Sequence, residues 1–168
     1  MSTWQLYYHI IWPTKDHRHL IQPAWEKELY TYLGAKAQEL ACVPGAINGI
    51  ATHVHLVLSI PPSVAVSDVI GLLKAGSSRR INRAYPEAGF AWQRDSFIFS
   101  ISATGLERIT GYVKAQKIHH AQGTLIVGFE EPKKVGLTAS QYSNEVIGRA
   151  RHVPPLQLVI APGGRERK

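Results

Sequence analysis

Two short stretches hold the residues that could do chemistry. "THVHLVL", Thr52 to Leu58, sets His53 and His55 two residues apart in a run of Val and Leu. In a strand, residues i and i+2 point the same way, so both imidazoles share one face. Val54, Leu56 and Leu58 share the other. Two imidazoles on one side of a rigid strand are half a metal site. The plainer alternative is a pair of partly buried histidines with ordinary hydrogen-bond partners. "YVKAQ" sets Tyr112 and Gln116 four residues apart, one helical turn, on one side. Gln supplies a neutral oxygen. Two His and one Gln form a donor set of mixed hardness with open positions, suited to Mg2+ or Mn2+ bound with waters and phosphate oxygens. Tyr112 would stand beside that ion. A phenol with a pKa of about 10 is a weak nucleophile at neutral pH. A divalent cation that polarises a phosphate and holds the leaving oxygen would help it. The ester formed would store the bond energy for rejoining. The alternative is a helix whose Tyr packs on the sheet and whose Gln is solvated.

The elements that must position these groups are legible in outline. "WQLYYHIIW", Trp4 to Trp12, reads as a strand, and Pro23 opens a helix with Trp25, Leu29, Leu33 and Leu40 along one side. "VPG" ends that helix. "AINGIA" and "THVHLVLSI" read as two closely linked strands. Ser67 can cap the next helix, where Ile70, Leu73, Ser77, Ile81 and Ala84 form a buried stripe and Lys74, Arg79, Arg80 and Arg83 lie mostly off it. "FAWQRDSFIFSIS" reads as a fourth strand, with Phe97, Phe99 and Ile101 alternating. "TGLE", Thr104 to Glu107, has the pattern of a capping box. It opens a single helix, "LERITGYVKAQKIHHAQ", that Gly123 closes. The order β-α-β-β-α-β-α contains the split βαβ, ferredoxin-like arrangement: an α+β sandwich with an antiparallel sheet. Its helices would lie on one side, with room for the last one elsewhere.

The bulk properties narrow the class. A chain of 168 residues, 45% hydrophobic, can fill one core. Cys42 is the only cysteine, which excludes an internal disulfide and a cysteine-based zinc site. A reducing cytoplasm fits. The first residues lack the basic flank of a signal peptide, and no apolar run is long enough to span a membrane. The net charge is +7 with a pI near 9.7. Residues 1–131 hold 12 basic and 10 acidic residues, and residues 132–168 hold 7 and 2. The division is read as a domain over 1–131 and a basic tail over 132–168. Lys74 to Arg94 holds five basic residues and one acid. A basic stripe on a mixed body suits a polyanion, and a solvated face made for solubility is the alternative.

Taken in order, these stretches resemble the small single-domain tyrosine transposases of insertion sequences, in the HUH endonuclease superfamily. "HVHLVL" is similar to the family's His-hydrophobe-His strand and "GLLKAGSSRRINR" to its basic helix. "AWQRDSFIFSIS" is similar to its Trp-Gln strand, "YVKAQKIHH" to its Tyr-x-x-x-Gln-Lys-x-His-His helix, and "FEE" to the acidic stretch that follows. Thr52 stands where the family often has Asp or Asn, and Phe97 where it often has Tyr.

The resemblance implies that His53, His55 and Gln116 bind a divalent metal, Mg2+ or Mn2+. It implies that Tyr112 attacks single-stranded DNA and becomes linked to its 5′-phosphate. It also implies a homodimer that recognises hairpins at the element's ends, in which the tyrosine helix can complete the partner's metal site. Lys74, Arg79, Arg80, Arg83 and Lys117 are the candidate DNA contacts. The competing readings are a non-catalytic protein that binds single-stranded or structured nucleic acid, a cellular nickase on the same scaffold, and an unrelated His-His metal enzyme.

Overall fold

The structure, a computed structural model, describes residues 3–130. The basic tail read over 132–168 lies outside the described residues. Four strands, β1 (Tyr7–Pro13), β2 (Val43–Ile50), β3 (His53–Ser59) and β4 (Phe97–Ile101), form one sheet in the order β2-β3-β1-β4. Every neighbouring pair is antiparallel. Helices α1 (Pro23–Glu39) and α2 (Val66–Ala84) make the two crossovers. Two shorter helices, α3 (Leu106–Lys114) and α4 (Gln116–Gln122), follow β4. This is the expected split βαβ sandwich.

The period-2 alternation of the strands gives the sheet two faces of different character. Ile10, Trp12, Val54, Leu56 and Leu58 pack on Leu29, Leu33 and Ala37 of α1 and on Ile70, Leu73 and Ile81 of α2. On the opposite face, Ala46, Val57 and Ile101 pack on Val113 of α3, flanked by Leu106 and Ile109. Both faces are therefore covered, the second by the C-terminal pair of helices. His53 and His55 point to that second face, as the i, i+2 spacing requires.

The structure departs from the sequence reading at several boundaries. "VPG" does not end α1: it opens β2, and the helix stops at Glu39, with Ala41 turned to φ 60°. Ser67 lies inside α2, and Ala65 holds the N-cap position without a side-chain bond. The fourth strand begins only at Phe97, while Trp92 makes an isolated bridge to Thr14. The capping box does not form; Ser102 Oγ accepts from the Gly105 N–H at 3.2 Å instead. The single helix expected after β4 is broken at Ala115 (φ −94°, ψ 12°). There Ile118 N–H bonds back to Ala115 O, three residues away, which frees Lys114 O to accept from Asn48 Nδ2 at 2.9 Å. A β2 side chain thus ties the break to the sheet. Gly49 serves the same end of the sheet: a Cβ there would come within 2.2 Å of His53 O, so the β2–β3 hairpin closes only around glycine.

Candidate active site

The second face of the sheet carries a cluster of polar side chains that a core of this kind normally excludes. His9, His53, His55 and Gln116 are buried, and Tyr112 is only 4% exposed. Buried polar groups need partners, and most of these have them. Gln116 Nε2 donates to His55 Nε2 at 2.9 Å and to Glu130 Oε1 at 2.6 Å. With Nε2 accepting, His55 carries its proton on Nδ1 and donates it to His9 Nε2 at 2.9 Å. Thr52 Oγ1 lies 3.2 Å from His53 Nδ1. That hydroxyl can take the Nδ1 proton and leave the Nε2 lone pair facing the cluster, the role a neighbouring carboxylate or amide would otherwise fill.

Glu130 joins the cluster from the segment after α4. Its Oε1 accepts from the Tyr112 hydroxyl as well as from Gln116. Its Oε2 lies 3.7 Å from His53 Nε2, 3.6 Å from His55 Nε2 and 3.6 Å from His120 Nε2. Tyr112 also accepts from the Ile126 N–H at 3.3 Å, and its ring stacks on His119 with centroids 4.5 Å apart. Phe129 meets it edge-on at 5.2 Å. The 126–130 segment therefore covers the phenol.

Electrostatics follow from burial. Desolvation, reinforced by repulsion from His55, lowers the pKa of His53 to about 3 and of His9 to about 4. Burial lowers His55 as well. These rings are neutral at pH 7, the state in which imidazole binds metal. Burial also raises Tyr112, and its hydrogen bond to Glu130 adds to this, to about 12. For Glu130, burial raises the pKa, but the close approach of His55 and the Tyr112 hydrogen bond outweigh it and bring it to about 2. An anionic carboxylate among neutral imidazoles is an electrostatic well for a cation.

His53 Nε2 and His120 Nε2, which both face Glu130, are buried with no hydrogen-bond partner among the described residues, and Gln116 Oε1 is likewise unpartnered. His53, His120 and Glu130 each offer a ligand atom within 4.8 Å of the others. Unspent imidazole nitrogens, a carboxamide oxygen and a carboxylate form the mixed nitrogen and oxygen set that a divalent cation takes.

The structure thus brings His53, His55, Tyr112 and Gln116 together, and it separates them from the basic helix. Lys74, Arg79, Arg80 and Arg83 lie on α2, across the sheet. Lys74 is engaged there: it donates to Arg94 O and Asp95 O at 3.0 Å and to Ser96 Oγ at 3.1 Å. Arg80 pairs with Glu28 at 2.8 Å. Arg79 and Arg83 are exposed and make no ion pair with a described residue. Lys117 pairs with Glu26 and so ties α4 to the first turn of α1.

Sequence reasoning missed three members of the cluster. His120 reads as a cation suited to a helix C-terminus, yet it sits four residues after Gln116 and turns inward; that i, i+4 relation was the available signal. His9 shares a face with His55 only through the β1–β3 register, which pairs Ile11 with His55. Glu130 enters from beyond the last helix, where no periodicity points; its signal was the acidic stretch "FEE", matched in sequence without a role.

Comparison with known proteins shows the family. Residues 2–116 match the model of the family described as "Transposase IS200 like". The chain is similar to the ISDra2 transposase TnpA of Deinococcus radiodurans, 30% identical over 119 residues that span 67% of this chain and 85% of that one. A crystal structure of a transposase from Deinococcus radiodurans R1 superposes with a TM-score of 0.57 at 25% identity, covering 68% of this chain and 93% of that chain. The REP-associated tyrosine transposase bound to a REP hairpin shares the fold, with a TM-score of 0.54 at 12% identity over 71% of this chain and 74% of that one.

Proposed function

Because this chain belongs to the IS200-like transposase family, we propose that it cuts and rejoins single-stranded DNA through a covalent link between Tyr112 and a 5′-phosphate. The observation that carries the reading is the placement of the Tyr112 hydroxyl on Glu130, the same carboxylate that faces His53, His55 and His120. Nucleophile and candidate metal donors share one small volume, built on two strands and one broken helix.

His53, His55 and Gln116 would hold Mg2+ or Mn2+. The bound ion would polarise the scissile phosphate and stabilise the leaving oxygen. The chain's own residues do the rest. Tyr112 supplies the attacking oxygen. Its proton already points at Glu130 Oε1. Burial and the shared hydrogen bond hold the phenol above its ordinary range, and the carboxylate sits below its own, so the proton stays on Tyr112 in this arrangement. The arrangement is therefore a resting one, and attack needs a substrate phosphate beside the phenol. Reaching it requires the 126–130 segment to move aside. His9 orients His55, and Thr52 orients His53.

On this reading α2 binds the DNA body through Arg79 and Arg83, with Lys74, Arg80 and Lys117 nearer to structural roles than to free phosphate contacts. Phosphate contacts of this kind position the nucleic acid without reading its sequence. The hairpin-bound relative supports hairpin ends as the partner, and the reading includes a homodimer. Within one chain, α3 sets Tyr112 at its own histidines, which supports a site that a single chain can complete. Among the described residues no helix is long and apolar enough to cross a membrane.

The test is a denaturing gel. The protein is incubated with labelled single-stranded oligonucleotides from the DNA flanking its gene, with Mn2+ or with EDTA. A band retarded under denaturing conditions, formed with Mn2+ and absent with EDTA, is expected. Binding of the same oligonucleotides with no covalent band under either condition would instead place the chain among non-catalytic nucleic-acid binders.

A further inference from the structure

We infer that His120 and Glu130 are direct ligands of the metal ion, alongside His53 and His55, so that the site is richer in imidazole and carboxylate than a His-His-Gln set. The inference rests on the metal-assisted reading above and deepens it. Its basis is geometric. Glu130 Oε2 lies 3.6–3.7 Å from three imidazole Nε2 atoms. That is too long for hydrogen bonds. It is close to the spacing of two donors on one ion, since bonds of about 2.1 Å place ligand atoms roughly 3 to 3.5 Å apart. The unpartnered Nε2 atoms of His53 and His120 supply the second observation. A buried imidazole without a partner is costly, and here two face one carboxylate. Their rings lie side by side, with centroids 5.0 Å apart. His120 reaches the site because the break at Ala115 resets α4, and Lys117 pairs with Glu26 to tie that helix to the first turn of α1.

The ligand set has a consequence for which ion binds. Imidazole nitrogen suits first-row transition ions, whereas Mg2+ favours oxygen ligands and its own waters. Three imidazoles and one carboxylate therefore favour Mn2+ over Mg2+, by an expected tenfold or more in affinity.

The measurement is Mn2+ binding to the full chain without DNA, by titration calorimetry, joined to pulsed electron paramagnetic resonance of the bound Mn2+. Wild-type protein should show nitrogen couplings from three imidazoles. Glu130→Gln and His120→Asn should each weaken Mn2+ at least tenfold, and His120→Asn should remove one nitrogen coupling. Circular dichroism checks that both variants are folded. A count of imidazole couplings that His120→Asn leaves unchanged would overturn the assignment of His120. Glu130→Gln binding Mn2+ within twofold of wild type would overturn that of Glu130. If wild-type protein bound no Mn2+ at all, the metal-assisted reading itself would fall, and this inference with it.

Discussion

The two faces of the sheet are made by the same strands and do opposite work. Toward α1 and α2, β3 presents Val54, Leu56 and Leu58, all fully buried in one apolar core. Toward α3 and α4 it presents His53 and His55, in a cluster where His9 Nδ1, His53 Nε2, Gln116 Oε1 and His120 Nε2 have no hydrogen-bond partner among the described residues. The first face is an almost wholly apolar interior, with Trp12 Nε1 as a buried polar atom left unpartnered among the described residues. The second breaks the rule that buried polar groups are spent within the fold. The difference teaches where stability and chemistry reside: period 2 lets β3 anchor the domain with its even-numbered residues, Val54, Leu56 and Leu58, and hold reactive groups with its odd-numbered ones, His53 and His55, so each set can change without the other.

The sharpest way to break that division is to exchange the losses. Tyr112→Phe keeps the ring that stacks on His119 and removes only the hydroxyl. Cleavage of single-stranded DNA should fall by about 10⁴-fold or more, while the thermal midpoint moves by only a few degrees. Gel assay and differential scanning calorimetry of the same preparation check this. Leu56→Ala should do the reverse. It opens a cavity in the α1–α2 core and should cost roughly 2–5 kcal/mol of stability, read by urea unfolding. The turnover of the protein that remains folded should stay close to wild type.

Acid sharpens the contrast through the histidines. His53 and His9 have folded pKa values of about 3 and about 4, below the unfolded value near 6.5. A group depressed on folding contributes stability that is fully present above pH 6.5 and is lost as pH falls toward the folded pKa, because the unfolded chain binds the proton first. Metal-free protein should therefore lose stability from about pH 6.5 downward, by roughly 3 kcal/mol from His9 alone at about 1.4 kcal/mol per unit. Urea titrations at pH 7, 5.5 and 4.5 read the slope. His9→Gln should flatten it.

The smallest effects belong to the exposed basic residues. Arg79→Ala and Arg83→Ala should change stability by less than about 0.5 kcal/mol. Each should lower the steepness of the dependence of log affinity on log salt by about 1, if the side chain contacts a phosphate. Unchanged salt dependence in the double variant would move DNA binding to another surface.

Much of the fold was legible because strand and helix periods are local properties. Leu29 and Leu33, or Phe97 and Ile101, reveal their faces from spacing alone, and the order of elements then leaves few topologies. His53 and His55 were legible for the same reason. The break at Ala115 was not, because it depends on Asn48, a residue on β2 that donates to Lys114 O. His9 and Glu130 were hidden for a related reason: one meets the site through strand register and the other through a loop. Thr52 illustrates the converse. It departs from the family pattern in sequence, yet its hydroxyl lies 3.2 Å from His53 Nδ1, where it can orient the ring.

The central claim is that Tyr112 is the residue that bonds to DNA. The most direct measurement is peptide mapping of the adduct formed with single-stranded DNA and Mn2+, after trypsin and nuclease digestion, by tandem mass spectrometry. The account predicts one modified peptide, carrying a nucleotide 5′-phosphate on Tyr112. A nucleotide on any other residue, or cleavage of DNA without a covalent adduct, would contradict it.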